Sequence, residues 1–538
     1  MIDQLKAAGD QLRVAWDNYF RLYSGIQNYP ILSTPPYAQK FPPELARQLD
    51  VELTFISSYE PKIREIRLGI SRARNYWSGL APINALSMDV LMLVFHYLRP
   101  QSCNVHYLDS SDRRYPDYLT QVCALWRRIA LSSRSLWSHI DISPYGPSCG
   151  GLIARAEAHA IRSGDFPIDL HIPQGAAGSP VRENRSYYAL YEHISRISNR
   201  IGSFEFDISG DFRGFHRSVL SRLLLSRPPS LTKLVINSRY NHYNAFIYSA
   251  DFEPGESDEE FEDFRLDLTE DEIENGFAAL RVLRLQGVFP SWSSIAFRGL
   301  VDLRLLSTDS WSSIEEEELA IVLDASPGLQ IFHFGLEIQD SMLEIAPTHL
   351  EDLRVVKIFP YKSGITLLCP SSLLRLLAPG SEPLRLSFDN YYEPDTNFTV
   401  EFERFFARST VTHFYTRGAF LPLSILLHHA KNLEQAILED FEPATFGEIP
   451  SSWLDLPESP PLYLKSIYVT ASTLSESGLR LLVKSCPIGI ILCSCDVELD
   501  NNEESMGEEV SDLFPTVRVT NTPLYPQGDL TADWDILA

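Results

Sequence analysis

The chain has 538 residues, 44% hydrophobic and 22% charged, with a formal net charge of −25. That acidity argues against general nucleic-acid binding, which needs a basic surface. No apolar run approaches the ~18 residues of a membrane span, and seven cysteines without framework spacing fit the reduced thiols of cytosol or nucleus.

The first residues, MIDQLKAAGD, lack a basic start followed by an apolar core, so no secretory signal is expected. Residues 1–79 read as a helical arm. Ile2, Leu5, Leu12, Trp16, Tyr19 and Tyr23 fall along one helical stripe. After a proline-rich break (Pro30 to Pro43), Leu45, Leu49, Leu53 and Ile56 start a second stripe, which Ile63, Ile66, Ile70, Ala73 and Trp77 continue. Pro61 is expected to kink that helix or start a new one. Two readings of the arm stand: a coiled coil that dimerises the protein, or a helical hairpin packing on itself or on the segment that follows. Few heptads, broken by a proline, favour the hairpin.

Residues 80–140 hold two helical patterns with more apolar surface than they can bury on each other. From Ser87, a good N-cap, Val90, Leu91, Leu93, Val94, Phe95, Tyr97 and Leu98 surround a helix almost completely. Leu119, Val122, Cys123, Trp126, Ile129 and Ala130 follow at helical spacing, with Arg127 and Arg128 on the other face. About sixty residues bury too little surface alone, so leftover apolar faces ask for a partner. The insert from Pro100 to Pro116 reads as a loop.

These residues resemble the F-box of fungal F-box proteins. The resemblance rests on Leu86-Ser87-Met88-Asp89-Val90-Leu91 with Phe95, then Val122-Cys123-Ala124-Leu125-Trp126-Arg127 with Ala130, then Leu136-Trp137. Ser87 and Met88 stand where the family pattern has a proline and its neighbour, and Asp89 where it has glutamate. The resemblance implies that Leu86, Val90, Leu91, Val94, Phe95, Leu98, Val122, Trp126 and Trp137 include both the domain's core and its surface for a small ligase adaptor. Sequence alone does not separate the two sets.

Beyond residue 140 the chain alternates strand-like and helical pieces. Strand candidates begin at a leucine or its equivalent: 168–172, 203–208, 231–236, 280–285, 300–305, 329–334, 350–355, 384–388, 411–415, 433–438 and 464–469. Starting leucines recur every ~20–35 residues, in or near the range of leucine-rich repeats. Helical lead-ins such as Val219–Leu225 and Leu319–Leu323 end in turns before the next strand. The expected fold is therefore α/β: an all-helical arm and F-box, then a degenerate leucine-rich-repeat solenoid with a parallel sheet over 141–495. A plain α/β globular domain is the alternative.

In a solenoid the residues between the leucines face the concave side. Lys233, Arg281, Arg284, Arg304, His333, Arg354, Lys357 and Arg385 would form a basic stripe there, suited to an acidic or phosphorylated target segment. The alternative is a solvated strand face neutralised by carboxylates such as Asp302 and Asp352. Asp251 to Asp263 reads as an acidic insert between repeats, Glu315 to Glu318 as the start of a helix, and 496–538 as an acidic cap with a disordered tail.

Motifs for catalysis are missing from the sequence: no phosphate loop, no nucleophile elbow and no dinucleotide fingerprint. Adjacent His428 and His429 diverge on a helix, and Cys493 with Cys495 falls short of a four-ligand zinc site. No enzyme, cofactor or metal is expected. The resemblance and the repeats together imply a substrate-recognition subunit of a cullin-RING ubiquitin ligase, with the adaptor, the cullin scaffold and an unidentified target as partners. A repeat scaffold that recruits no ligase is the alternative.

Overall fold

Fourteen short alternating runs pair into one sheet in a computed structural model of the chain, which is mixed α/β. The described residues are 2–27, 43–75, 82–99, 115–142, 149–173, 186–208, 214–226, 231–238, 246–252, 265–308, 312–339, 345–359, 370–388, 398–418, 423–440, 463–485, 489–498, 507–520, 531 and 534. They divide into two compact units, Met1–Val94 with Leu119–Ile129 and Phe95–Tyr118 with Ala130–Ala538. Among the described residues no helix is long and apolar enough to cross a membrane.

The first unit opens with α1 (Ile2–Gln27) and α2 (Pro43–Asn75). Tyr19 Oη donates a 2.9 Å hydrogen bond to Glu52 Oε2, tying the two helices together. Most of the apolar stripe stays exposed all the same, including Leu5, Leu12, Leu53, Ile63 and Ile66. Trp77 lies outside the described residues. Of the two outcomes expected at Pro61, a new helix does not start there, since α2 runs through it. The ring removes one bond of the helical ladder, while the hydroxyls of Ser57 and Ser58 donate to the carbonyls of Leu53 and Phe55 in the preceding turn. One missing bond does not end a helix of 33 residues.

Then come α3 (Met88–Tyr97), α4 (Leu119–Val122) and α5 (Ala124–Ser132). Ser87 caps α3 as its residue type foretells: its Oγ accepts from the Val90 amide at 3.4 Å.

The second unit carries the sheet. Its strands are β1 (His139–Asp141), β2 (Ile168–Ile172), β3 (Ile201–Ile208), β4 (Lys233–Ser238), β5 (Val282–Gln286), β6 (Asp302–Leu306) and β7 (Ile331–Gly335). They continue as β8 (Val355–Ile358), β9 (Leu384–Phe388), β10 (Val411–Arg417), β11 (Gln435–Glu439), β12 (Ser466–Thr470), β13 (Ile490–Cys493) and β14 (Val517–Thr520). Every neighbouring pair is parallel, and the order across the sheet is the order along the chain. Helices fill most of the crossovers, for example Cys149–Ser163, Gly214–Leu225 and Glu476–Ser485.

One register row explains the cohesion. Ile140, Leu170, Phe204, Leu234, Leu283, Leu303, Phe332, Val356, Leu386, Phe414, Ala436, Ile467 and Ile490 are successive partners across the sheet. All are buried in the main apolar core. Each large member contributes roughly 1.5–3 kcal/mol by leaving water, and can do so only with its neighbours in place.

The sheet exceeds the expected repeat region at both ends, from His139 to Thr520 instead of 141–495. Most strands start about two residues after the leucine that marks them in sequence. The eighth starts later still, because Leu350 belongs to a separate short strand, Thr348–Leu350, paired with Leu377–Pro379. Glu315 caps the helix Glu316–Asp324, so the expected helix start is found. Most of the acidic insert 251–263 lies outside the described residues.

Candidate functional site

Two surfaces contain the residues singled out in the sequence. On the first, burial separates what the sequence could not. Leu91, Phe95 and Trp137 are almost fully buried, whereas Leu86, Val90, Leu98 and Val122 are exposed, and Val94 and Trp126 lie between. On α3, Leu91 and Phe95 lie one turn apart and mark the inward face. Val90 and Leu93 project on the opposite side, 42% and 59% exposed. With Leu86, Met88 and Val122 they leave the first unit with apolar side chains in solvent near its helix starts. Trp126 is held by Nε1 donating to Asn84 Oδ1 at 3.2 Å. Trp137 is a core residue of the second unit: its Nε1 donates to the Ala130 carbonyl at 2.7 Å, His159 meets its ring edge-on, and the Arg162 guanidinium covers it at 4.3 Å. It is therefore too enclosed to contact an adaptor.

The second surface is the sheet face opposite the main core. Register places Asp141, His171, Glu205, Val235, Arg284, Arg304, His333, Lys357, Ser387, Tyr415, Ile437, Tyr468 and Ile491 in one row along it. A parallel row on the same face holds His139, Asp169, Ser203, Lys233, Val282, Asp302, Ile331 and Val355. Acids and histidines gather on β1–β3, cations on β5–β8, and aromatic and aliphatic groups on β10–β13.

The cationic middle is not the open basic stripe expected from sequence. Arg281 and Arg354 each stand one residue before a strand, and side chains alternate faces. Both are exposed, and Arg354 pairs with Glu382 at 3.3 Å. Arg284 and Arg304 are on the face, but both converge on the fully buried carboxylate of Asp302. Arg284 donates from Nε and Nη2 at 3.0 and 2.7 Å, Arg304 at 2.9 and 3.0 Å. Burial, and then the Arg284 charge, lower the Lys233 pKa. Burial, followed by the charges of Arg304 and Lys357, holds His333 far below the usual histidine range, so it is neutral at physiological pH. Arg385 is half-buried on β9.

Lys357 is buried, and its Nζ donates to the Thr531 carbonyl at 3.0 Å. Three residues on, Trp534 packs into a separate apolar cluster with Ile331, Val355, Tyr415 and Ile437, bordered by Tyr468. His413 meets the Trp534 ring at 6.4 Å. At least these two residues of the expected disordered tail are therefore placed, on the face that was expected to bind a target. The only sequence signal was a lone tryptophan in an otherwise loose segment.

Sequence reasoning also missed that His171 on β2 converges with Glu205 and Asp207 on β3, because the contact depends on the two strands being neighbours. Comparison with models of known protein families gives no match, and comparison with curated proteins gives none at a significant level.

Proposed function

We propose that this protein is the substrate-recognition subunit of a cullin-RING ubiquitin ligase, an F-box followed by a leucine-rich-repeat-like solenoid. The exposed apolar side of α3 carries the reading. Val90 and Leu93 stay in solvent opposite Leu91 and Phe95, on the helix that carries the first half of the F-box resemblance. A helix that keeps such residues exposed loses stabilisation that a partner would restore. The second support is the sheet, whose strands follow chain order through parallel crossovers, as a stack of repeats requires. The target would dock on the sheet face opposite the main core, and the chain would supply geometry while a recruited enzyme supplies chemistry.

Co-purification of the full chain with the small ligase adaptor tests this, alongside Val90→Asp and Leu93→Asp. Both positions are solvent-exposed, so the new carboxylates need no burial and the fold should be kept, as circular dichroism would verify. Capture by the wild type and loss in both folded variants is the expected result. A folded wild type that captures no adaptor refutes the ligase assignment and leaves a repeat scaffold.

A further inference from the structure

We infer that the β1–β3 end of the sheet face opposite the main core is a binding site for a divalent transition-metal cation, best suited to zinc. One potential ligand atom each from His171, Glu205 and Asp207 lies within 4.8 Å of the others. His171 Nε2 stands 3.8 Å from Glu205 Oε1 and 3.7 Å from Asp207 Oδ2, longer than hydrogen bonds. Ligand atoms about 2.0–2.2 Å from a tetrahedral zinc ion are roughly 3.3 Å apart. The cluster needs a small contraction, and the half-exposed side chain of Glu205 has the freedom to make it.

The groups behind the ligands favour a metal over an accidental cluster of charge. His171 is buried, and its other nitrogen, Nδ1, is 3.2 Å from Asp141 Oδ1. A carboxylate there fixes the ring so that Nε2 presents its lone pair to the two acids. Asp141 is itself held by His139 Nε2 at 3.1 Å. Asp207 is oriented likewise, with Asn237 Nδ2 donating to Oδ1 at 2.9 Å while Oδ2 turns to His171. One imidazole and two carboxylates form a nitrogen and oxygen donor set suited to zinc and weaker for magnesium or calcium. Three protein ligands leave a fourth position for water or for an acidic group of a docked ligand.

The test uses the full chain, stripped with a chelator and titrated with Zn2+ against a chromophoric competitor. Replacement by Co2+ distinguishes this site from the cysteines, because nitrogen and oxygen ligands give no thiolate-to-cobalt charge-transfer band. One equivalent should bind without that band. Asp207→Asn and His171→Gln should abolish binding, and Asn237→Ala should weaken it about 10- to 100-fold. Asn237→Ala removes no ligand and keeps the test decisive if either ligand variant fails to fold. Absence of binding to the wild type, a thiolate band, or unchanged affinity in any folded variant would overturn the site. The cluster would then be an electrostatic contact of His171 with its neighbouring carboxylates.

Discussion

Lys357 Nζ and the Thr531 carbonyl, 174 residues apart in sequence, are joined by a 3.0 Å hydrogen bond on the sheet face opposite the main core. The bond satisfies an ammonium group that would be costly to bury alone. It also holds the tail where Trp534 covers Ile331, Val355, Tyr415 and Ile437. A target docking on this part of the face has to displace the chain's own C-terminal segment.

Trp534→Ala should release that segment. Truncating a buried tryptophan costs about 3–5 kcal/mol, more than one hydrogen bond from Lys357 can offset at about 1.5–3 kcal/mol. The sheet itself stands on the main core and should persist. Expected results are faster hydrogen exchange at Thr531 and at position 534, and increased hydrophobic-dye binding as Tyr415 and Ile437 become exposed. Unchanged protection of the tail would show that Trp534 does not hold it.

Asp302→Asn should be among the most destabilising single changes on this face. The carboxylate is fully buried and receives both Arg284 and Arg304. Removing one partner of a buried ion network leaves uncompensated charge, at a cost of about 3–5 kcal/mol. Urea unfolding should show a lower midpoint at unchanged slope. A loss below about 1 kcal/mol would mean that water reaches both guanidinium groups and replaces the acid.

The alternating leucines made most of the sheet legible, because each strand must present an apolar residue to the core at period two. Face assignment was less secure, since a shift of one residue moves a side chain to the other side of the sheet. That shift removes Arg281 and Arg354 from the supposed basic stripe while Arg284 and Arg304 remain. The Asp302 clamp and the convergence of His171, Glu205 and Asp207 depend on which strands are neighbours, and no local pattern records that. Trp534 belongs to no repeat, so its place against residues of four distant strands had no periodic signature. On α3 the apolar pattern ran nearly all round, and only burial distinguished Leu91 and Phe95 from Val90 and Leu93.

Gly287→Ala should cost about 1–3 kcal/mol through overpacking, with backbone strain of about 1 kcal/mol or more added. Gly287 turns the chain after β5 with φ of 74°, and its amide donates to the Leu306 carbonyl at 3.1 Å. A β-carbon there would stand 2.5 Å from Thr308 Cγ2 and 3.2 Å from the Ser238 carbonyl oxygen. Gly299 is a fair control: φ is 68°, but the nearest atom to an added β-carbon is Arg281 Nη1, 3.9 Å away. Gly299→Ala should therefore show the backbone strain alone. Equal losses in melting experiments would show that the Thr308 contact relaxes at no cost.

Asp117 should make stability depend on pH in the acid range. Burial alone would raise its pKa, but the nearby His159 ring and the hydrogen-bonded Arg155 guanidinium outweigh it and hold the carboxyl down to about 2. Arg155 Nε is 2.5 Å from Oδ2, and His159 Nε2 is 3.5 Å from Oδ1. In the unfolded chain an aspartate titrates near ~3.9, so the folded form is the stronger acid. The resulting stabilisation, about 2 kcal/mol, is fully present above pH ~4 and is lost as pH falls toward 2 and the folded carboxylate takes up its proton. Asp117→Asn forgoes it at every pH. The gap in unfolding free energy between wild type and variant should be widest at neutral pH and should narrow between pH 4 and 2. A gap that stays constant through that range would mean that Asp117 stabilises the fold by hydrogen bonding alone, with no contribution from its charge.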